Sequence, residues 1–251
     1  MGYLRHRRRH FRDGGAGSWT ANEGDLDPIT GNLVAYWPLE ESSGNRLDLV
    51  SSIIANPVSD QGRVAGKYNY GLYCNATGRL VVTNTVLDIA TLVTSSFSAF
   101  AWAKTSATSQ QLIFECAGTA FGGSGNGGAA LWQRNDSGYV MNARLWDSSA
   151  ASIADIKSAA AYNDGNYHLF GMVYDSSAPL LKVWTDNVNA SVVPSAAVGN
   201  NYNDAGIGGE NSSGGSKWGD AIDEFSLWDI ALNDTQVAAL YNSGTGAFYL
   251  G

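Results

Sequence analysis

The sequence is poor in the residues that build metal centres and cross-links. It has three histidines and two cysteines in 251 residues. His6 and His10 lie near the N-terminus and His168 far from both, so no histidine cluster with ligand spacing forms. Cys74 and Cys116 allow either one disulfide or two reduced core thiols. Proline is scarce at 5 residues, and charged residues make up only 15%. Low charge with 44% hydrophobic residues excludes a disordered chain. No apolar run is long enough to span a bilayer, so no membrane insertion is expected. The opening MGYLRHRRRHF has no apolar core after its basic stretch, so no secretory leader is expected. His6 stands where N-myristoylation needs Ser or Thr.

Positive charge is also scarce, except at one end. Arg5, Arg7, Arg8, Arg9 and Arg12 fall in the first twelve residues, which hold no acid. The rest of the chain has 10 Lys and Arg against 23 Asp and Glu, a net charge of −13. An acidic globule thus carries a cationic arm. Five guanidinium groups can hold carboxylates on neighbouring subunits through bidentate contacts. The arm has little aromatic interleaving beyond Tyr3 and Phe11 and could also neutralise ~4–5 phosphates, but protein partners are the preferred expectation over nucleic acid. Residues 13–31 form a Gly-rich polar linker with one aromatic, Trp19. The predicted division is an arm and linker over 1–31 and one large domain over 32–251.

What is abundant is glycine, at 30 residues, and strand-like alternation. LVAYWPL places Leu33, Ala35, Trp37 and Leu39 on one face, and Pro38 marks a strand end. FSAFAWAKT is apolar on both faces and belongs in the middle of a sandwich. QQLIFECAG is a further strand. ALWQRNDSGYVMNARLW predicts a hairpin turning at Asn135–Gly138. The strand His168–Tyr174 pairs with PLLKVWTDN, and GDAIDEFSLWD closes the set. One helix is marked over 234–242, with Asn233 as N-cap, Gln236 at N3 and Gly244 past its end. A weaker helical turn is predicted at 87–92. Helices do not alternate with strands, so the expected fold is all-β: two packed antiparallel sheets.

Several blocks resemble a known family. LVAYWPLEESSGNRLDLVSS, YGLYCNATGRLVV, FSAFAWAKT, DGNYHLFGMVYD with LKVWTDNV, and GDAIDEFSLWDIALNDTQVAALYNSG resemble, in order, the successive blocks of concanavalin A-like, laminin G-like jelly rolls. Tyr167 stands where the family usually has Trp, and Asn187 where it usually has Gly. The resemblance covers about residues 32–246. It implies a two-sheet jelly-roll sandwich with one short C-terminal helix. It also implies a binding or structural role of the kind found in lectins, adhesins and phage virion proteins, though fold alone does not choose among them.

Glycoside hydrolysis needs two carboxylates at a set separation. Asp223 and Glu224 are adjacent, so in a regular strand they point to opposite faces. Glu40 and Glu41 have the same defect, and no enzyme is expected. GGSGNGG at 122–128 lacks the Lys-Ser/Thr of a phosphate loop. No cofactor is required; calcium is conceivable through Asp48, Asp223 and Glu40. For carbohydrate, Trp132, Asn142, Trp146 and Asp147 on the predicted hairpin are the candidates. The expected protein is a non-catalytic virion component, such as a capsid decoration or fibre protein. Its arm anchors it to capsid or virion proteins, its copies associate as a homo-oligomer, and its lectin-like body meets glycans. The alternative is a carbohydrate-binding module or adhesin at a cell surface or outside the cell, and the third reading is a glycoside hydrolase with a degenerate motif.

Overall fold

The computed structural model describes residues 24–25, 30–59, 61–74, 78–83, 87–117, 127–199, 204–210 and 216–249. The arm arginines Arg5, Arg7, Arg8, Arg9 and Arg12 lie outside the described residues. So do Trp19 and most of the 118–128 loop.

The first strands are β1 (Gly24–Asp25), β2 (Leu33–Trp37), β3 (Arg46–Leu47), β4 (Ile54–Val58), β5 (Arg63–Ala65), β6 (Tyr70–Tyr73) and β7 (Arg79–Val82). Helix α1 (Ile89–Thr94) precedes β8 (Phe97–Lys104), β9 (Gln111–Ala117), β10 (Gly128–Gln133), β11 (Val140–Trp146) and β12 (Ser152–Ala161). Then come β13 (His168–Asp175), β14 (Leu180–Thr185), β15 (Val188–Val192), β16 (Ala205–Ile207) and β17 (Ala221–Trp228). Helix α2 (Asp234–Tyr241) and β18 (Ala247–Phe248) end the chain.

The strands form the two expected sheets. The front sheet runs β12-β11-β10-β9-β16-β7-β4-β3, and the back sheet runs β15-β14-β13-β8-β17-β6-β5, with β2 also paired to β17. Trp37, Phe97, Phe114, Phe170 and Phe225 fill the space between them. β8 explains its own two-sided apolarity. Ala99, Ala101 and Ala103 face the core, while Phe100 and Trp102 face outward beneath α2. Val237 and Leu240 of α2 cover them. The helix begins with the predicted capping box between Asn233 and Gln236. Its left-handed end comes at Asn242 (φ 45°), before Gly244.

Two further features place the ends and edges. β1 pairs in parallel with β18, Gly24 with Ala247 and Asp25 with Phe248. Ala247 is buried with the α2 cluster, so the root of the linker sits on the outer face of the back sheet. At the other extreme, β12 is the last strand of the front sheet among the described residues. Its register with β11 shifts near both ends, and the Ile153 carbonyl accepts a bond from the Ser195 N–H (2.8 Å). No helix among the described residues is long and apolar enough to cross a membrane.

Candidate functional site

The outer face of the front sheet brings three of the four sequence candidates together. The β10–β11 register sets Trp132 opposite Asn142, Ala130 opposite Arg144 and Gly128 opposite Trp146. Alternation then turns Trp132, Asn142, Arg144 and Trp146 to one side, away from the core. The small Ala130 leaves room for the Arg144 side chain. Its guanidinium sits 5.0 Å from the Trp132 ring centre and 5.6 Å from that of Trp146. The two indoles stack at 6.4 Å with 19° between their planes. Both indoles are buried, Trp132 at 1% and Trp146 at 8% exposure. The polar rim around Arg144 carries the surface instead.

That rim centres on Asp155 of β12, whose register opposite Arg144 brings it to the same face. Asp155 Oδ2 accepts from Arg144 Nε (3.1 Å) and Nη2 and from Arg134 Nη1 (3.3 Å). Asn142 Nδ2 donates to Asp155 Oδ1 (2.7 Å), and its Oδ1 accepts from Arg134 Nη1 (3.2 Å). Arg134 also donates through Nε to Asp136 (2.7 Å). Hydrogen bonds from Arg134 hold the Asp136 carboxyl well below the usual range, and the same pairing raises Arg134. Lys157 bonds Ser137 at 2.6 Å. The fourth candidate, Asp147, belongs to the β11–β12 turn. Its Oδ1 accepts from Ser149 N, Ser149 Oγ and Ala151 N. Sequence reading missed Arg134, Arg144 and Asp155. The period-2 pattern from Asn142 to Trp146 already placed Arg144 on the candidate face.

A second polar group lies on the opposite side, where β17 changes partner. Ala221 and Ile222 pair with β6, and Phe225–Trp228 pair with β2. Between them the register slips and Glu224 takes φ 53°, a β-bulge. The expected opposition of Asp223 and Glu224 is therefore overturned. Both turn outward, because the bulge inserts a residue and cancels the alternation. Tyr36 Oη donates to Glu224 Oε2, and the Tyr68 N–H donates to Asp223 Oδ2 (2.9 Å). Burial raises both carboxyls well above the usual range, and the Asp223 charge raises Glu224 further. Burial pushes Glu40, which accepts from the Tyr70 N–H, up to about 7.

Asp48, one of the conceivable calcium ligands, is committed to the backbone. Both Asp48 oxygens are filled by backbone N–H donors of Tyr36, Val50, Ser51 and Ile53. Among the described residues no group of three His, Cys, Asp or Glu side chains is arranged to hold a metal ion. His168 lies in the back sheet, bracketed by Asp186 on Nδ1 (2.8 Å) and Asp164 on Nε2 (3.2 Å). Cys74 and Cys116 are both free and buried, which resolves the disulfide question in favour of two thiols.

The comparisons agree with this architecture. The binding domain of Paraclostridial Mosquitocidal Protein 1 superposes with TM-score 0.62 at 13% identity, over 88% of this chain and 53% of that one. Domain 4 of the extracellular arabinanase AbnA of Geobacillus stearothermophilus, solved with arabinotriose, gives 0.61 at 16%, over 82% of this chain and 97% of that domain. Trypanosoma rangeli sialidase gives 0.58 at 15%, with this chain spanning 34% of its length. At such identities the likeness establishes the fold. No curated protein matches the sequence. A family model for the concanavalin A-like lectin/glucanases superfamily matches residues 76–238, more than half of the chain. The chain belongs to that superfamily, as its strand blocks and its jelly-roll sandwich together require.

Proposed function

We propose that this chain is a non-catalytic, lectin-like structural protein of a virion, anchored through its basic arm and offering the β10–β12 face to glycans. One observation carries the reading: the two working ends belong to opposite outer faces of the sandwich. The linker root at β1 and β18 lies over the back sheet, and the Trp132–Arg144–Trp146 cluster lies on the front sheet. A body tethered from behind turns its other face outward. Five arginines without an acid among them, against a body of −13, supply the attraction for an acidic assembly surface. Copies on one particle, associated as a homo-oligomer, bind a glycan surface by avidity where one copy binds weakly.

Two observations support the absence of catalysis. Asp223 and Glu224 are buried, and one oxygen of each is engaged, Asp223 Oδ2 by the Tyr68 N–H and Glu224 Oε2 by Tyr36 Oη. A second reading, a carbohydrate-binding module outside a virion, is favoured by the domain-length match to the arabinanase domain that was solved with arabinotriose.

Deletion of residues 1–12 separates the readings. The virion role requires that the truncated chain fold normally and fail to join particles; normal attachment refutes it. A glycan array probed with the full chain tests both, and silence at high concentration removes the sugar-binding element from each.

A further inference from the structure

The body keeps few cations, yet three of them gather at the candidate face. Arg134, Arg144 and Lys157 stand there against Asp136 and Asp155. The face is locally positive in a body of net charge −13. Two of the three cations are guanidinium groups that converge on one carboxylate oxygen, Asp155 Oδ2. Arg144 is held against two stacked indoles, which fix its plane and direct its N–H donors toward the Asp155 carboxylate. The side chains remain within reach of solvent, Arg144 at 21% and Asp155 at 31% exposure. Planar, bidentate recognition of a carboxylate or sulfate is the chemistry for which paired guanidinium groups are suited. In the free protein Asp155 plays that anion's part.

Resting on the glycan reading above, we infer that the ligand class of this face is an anionic sugar. Its carboxylate or sulfate group engages Arg134 and Arg144 by sharing them with Asp155 or displacing it. A neutral sugar would leave both guanidinium groups committed to Asp155 and gain little from them. An anionic one adds charge-assisted bonds that salt weakens.

The test uses the full-length chain in which all five arm arginines are changed to glutamine, so that the arm contributes no binding. Polygalacturonate supplies carboxylate, heparin supplies sulfate, and linear arabinan is the neutral control. Polygalacturonate or heparin is expected to bind more tightly than arabinan, and more weakly as salt rises. Which of the two binds better identifies the anionic group. Arg144→Gln should weaken that binding about tenfold, the effect of one charge-assisted bond. Asp155→Asn should strengthen it, because both guanidinium groups are released while an amide stays in place. Melting curves check that each variant is folded, and should Arg144→Gln unfold, Asp155→Asn decides alone. Unchanged anion binding in Asp155→Asn overturns the inference. If arabinan binds as well as the polyanions and neither variant alters it, the anionic assignment fails and the glycan reading survives. If no probe binds, both fail.

Discussion

The ring of Phe100 stands in the space where a side chain on Gly171 would begin. The two residues are cross-strand partners on β8 and β13, and a Cβ built at Gly171 meets the edge of the Phe100 ring. Phe100 is itself buried and packed against Trp228 at 5.9 Å, so it has little room to move. Gly171→Ala is therefore expected to cost about 1–3 kcal/mol through overpacking. A lowered urea midpoint with an unchanged slope is the signature; an unchanged midpoint would mean the ring yields freely.

His168 makes stability depend on pH. Its hydrogen bond to Asp186 raises its pKa most, opposed by burial and helped by Asp164. A histidine with a raised folded pKa adds stability that is fully present below the unfolded value of about 6.5. That contribution disappears as pH rises through the folded value. Urea midpoints should therefore fall as pH rises above about 6.5 in the native chain, and the decline should flatten in His168→Gln.

The buried carboxyls act in the same direction. Asp223, Glu224 and Glu40 all hold their protons more tightly when folded. Stability they contribute below the unfolded range is lost as pH rises, for Glu40 between its ordinary value of 4.5 and about 7. Asp223→Asn and Glu224→Gln remove the need to bury an acid. Each should raise the melting temperature at pH 8 relative to pH 5, and neither should change turnover on β-glucans. Loss of a measurable hydrolysis in either variant would restore an enzymatic reading.

Both thiols should be silent in the native protein. Burial raises Cys74 and Cys116 far above the ordinary thiol range, so neither forms the reactive thiolate. A thiol reagent should label neither until denaturant is added, and reductant should leave the melting temperature unchanged. Fast labelling of one thiol in native buffer would show local opening near that residue.

Much of the sandwich was legible because its strands obey a period of two. Ala35 and Trp37 alternate inward as read, although Leu33, expected on the same face, joins the outer cluster beside a register shift, and Asn233 with Gln236 announces α2. The front-sheet edge was not legible. β12, SIADIKSAAA, carries charges at Asp155 and Lys157 and a run of alanines; Ile153 and Ile156 are its only β-branched residues, and it has no aromatic to mark a strand. The short β3 and β5 carry two or three residues each, too few to show a period. At the candidate face, the aromatics stood out in the sequence and their covering arginine did not. Whether a tryptophan lies open depends on what a partner strand places over it, and Asp155 holds Arg144 there from β12. At Asp223 and Glu224 alternation failed for one local reason, the bulge at φ 53° where β17 exchanges β6 for β2.

The shape of β12 has a further consequence for crowded copies. A bare strand edge invites a neighbour to add its own strand, and dense display multiplies such encounters. Here the register slips near both ends of the strand, and Ser195 already occupies the Ile153 carbonyl. Asp155 and Lys157 add charge along its middle. Molecules packed shoulder to shoulder can thus stay separate rather than fuse into a shared sheet.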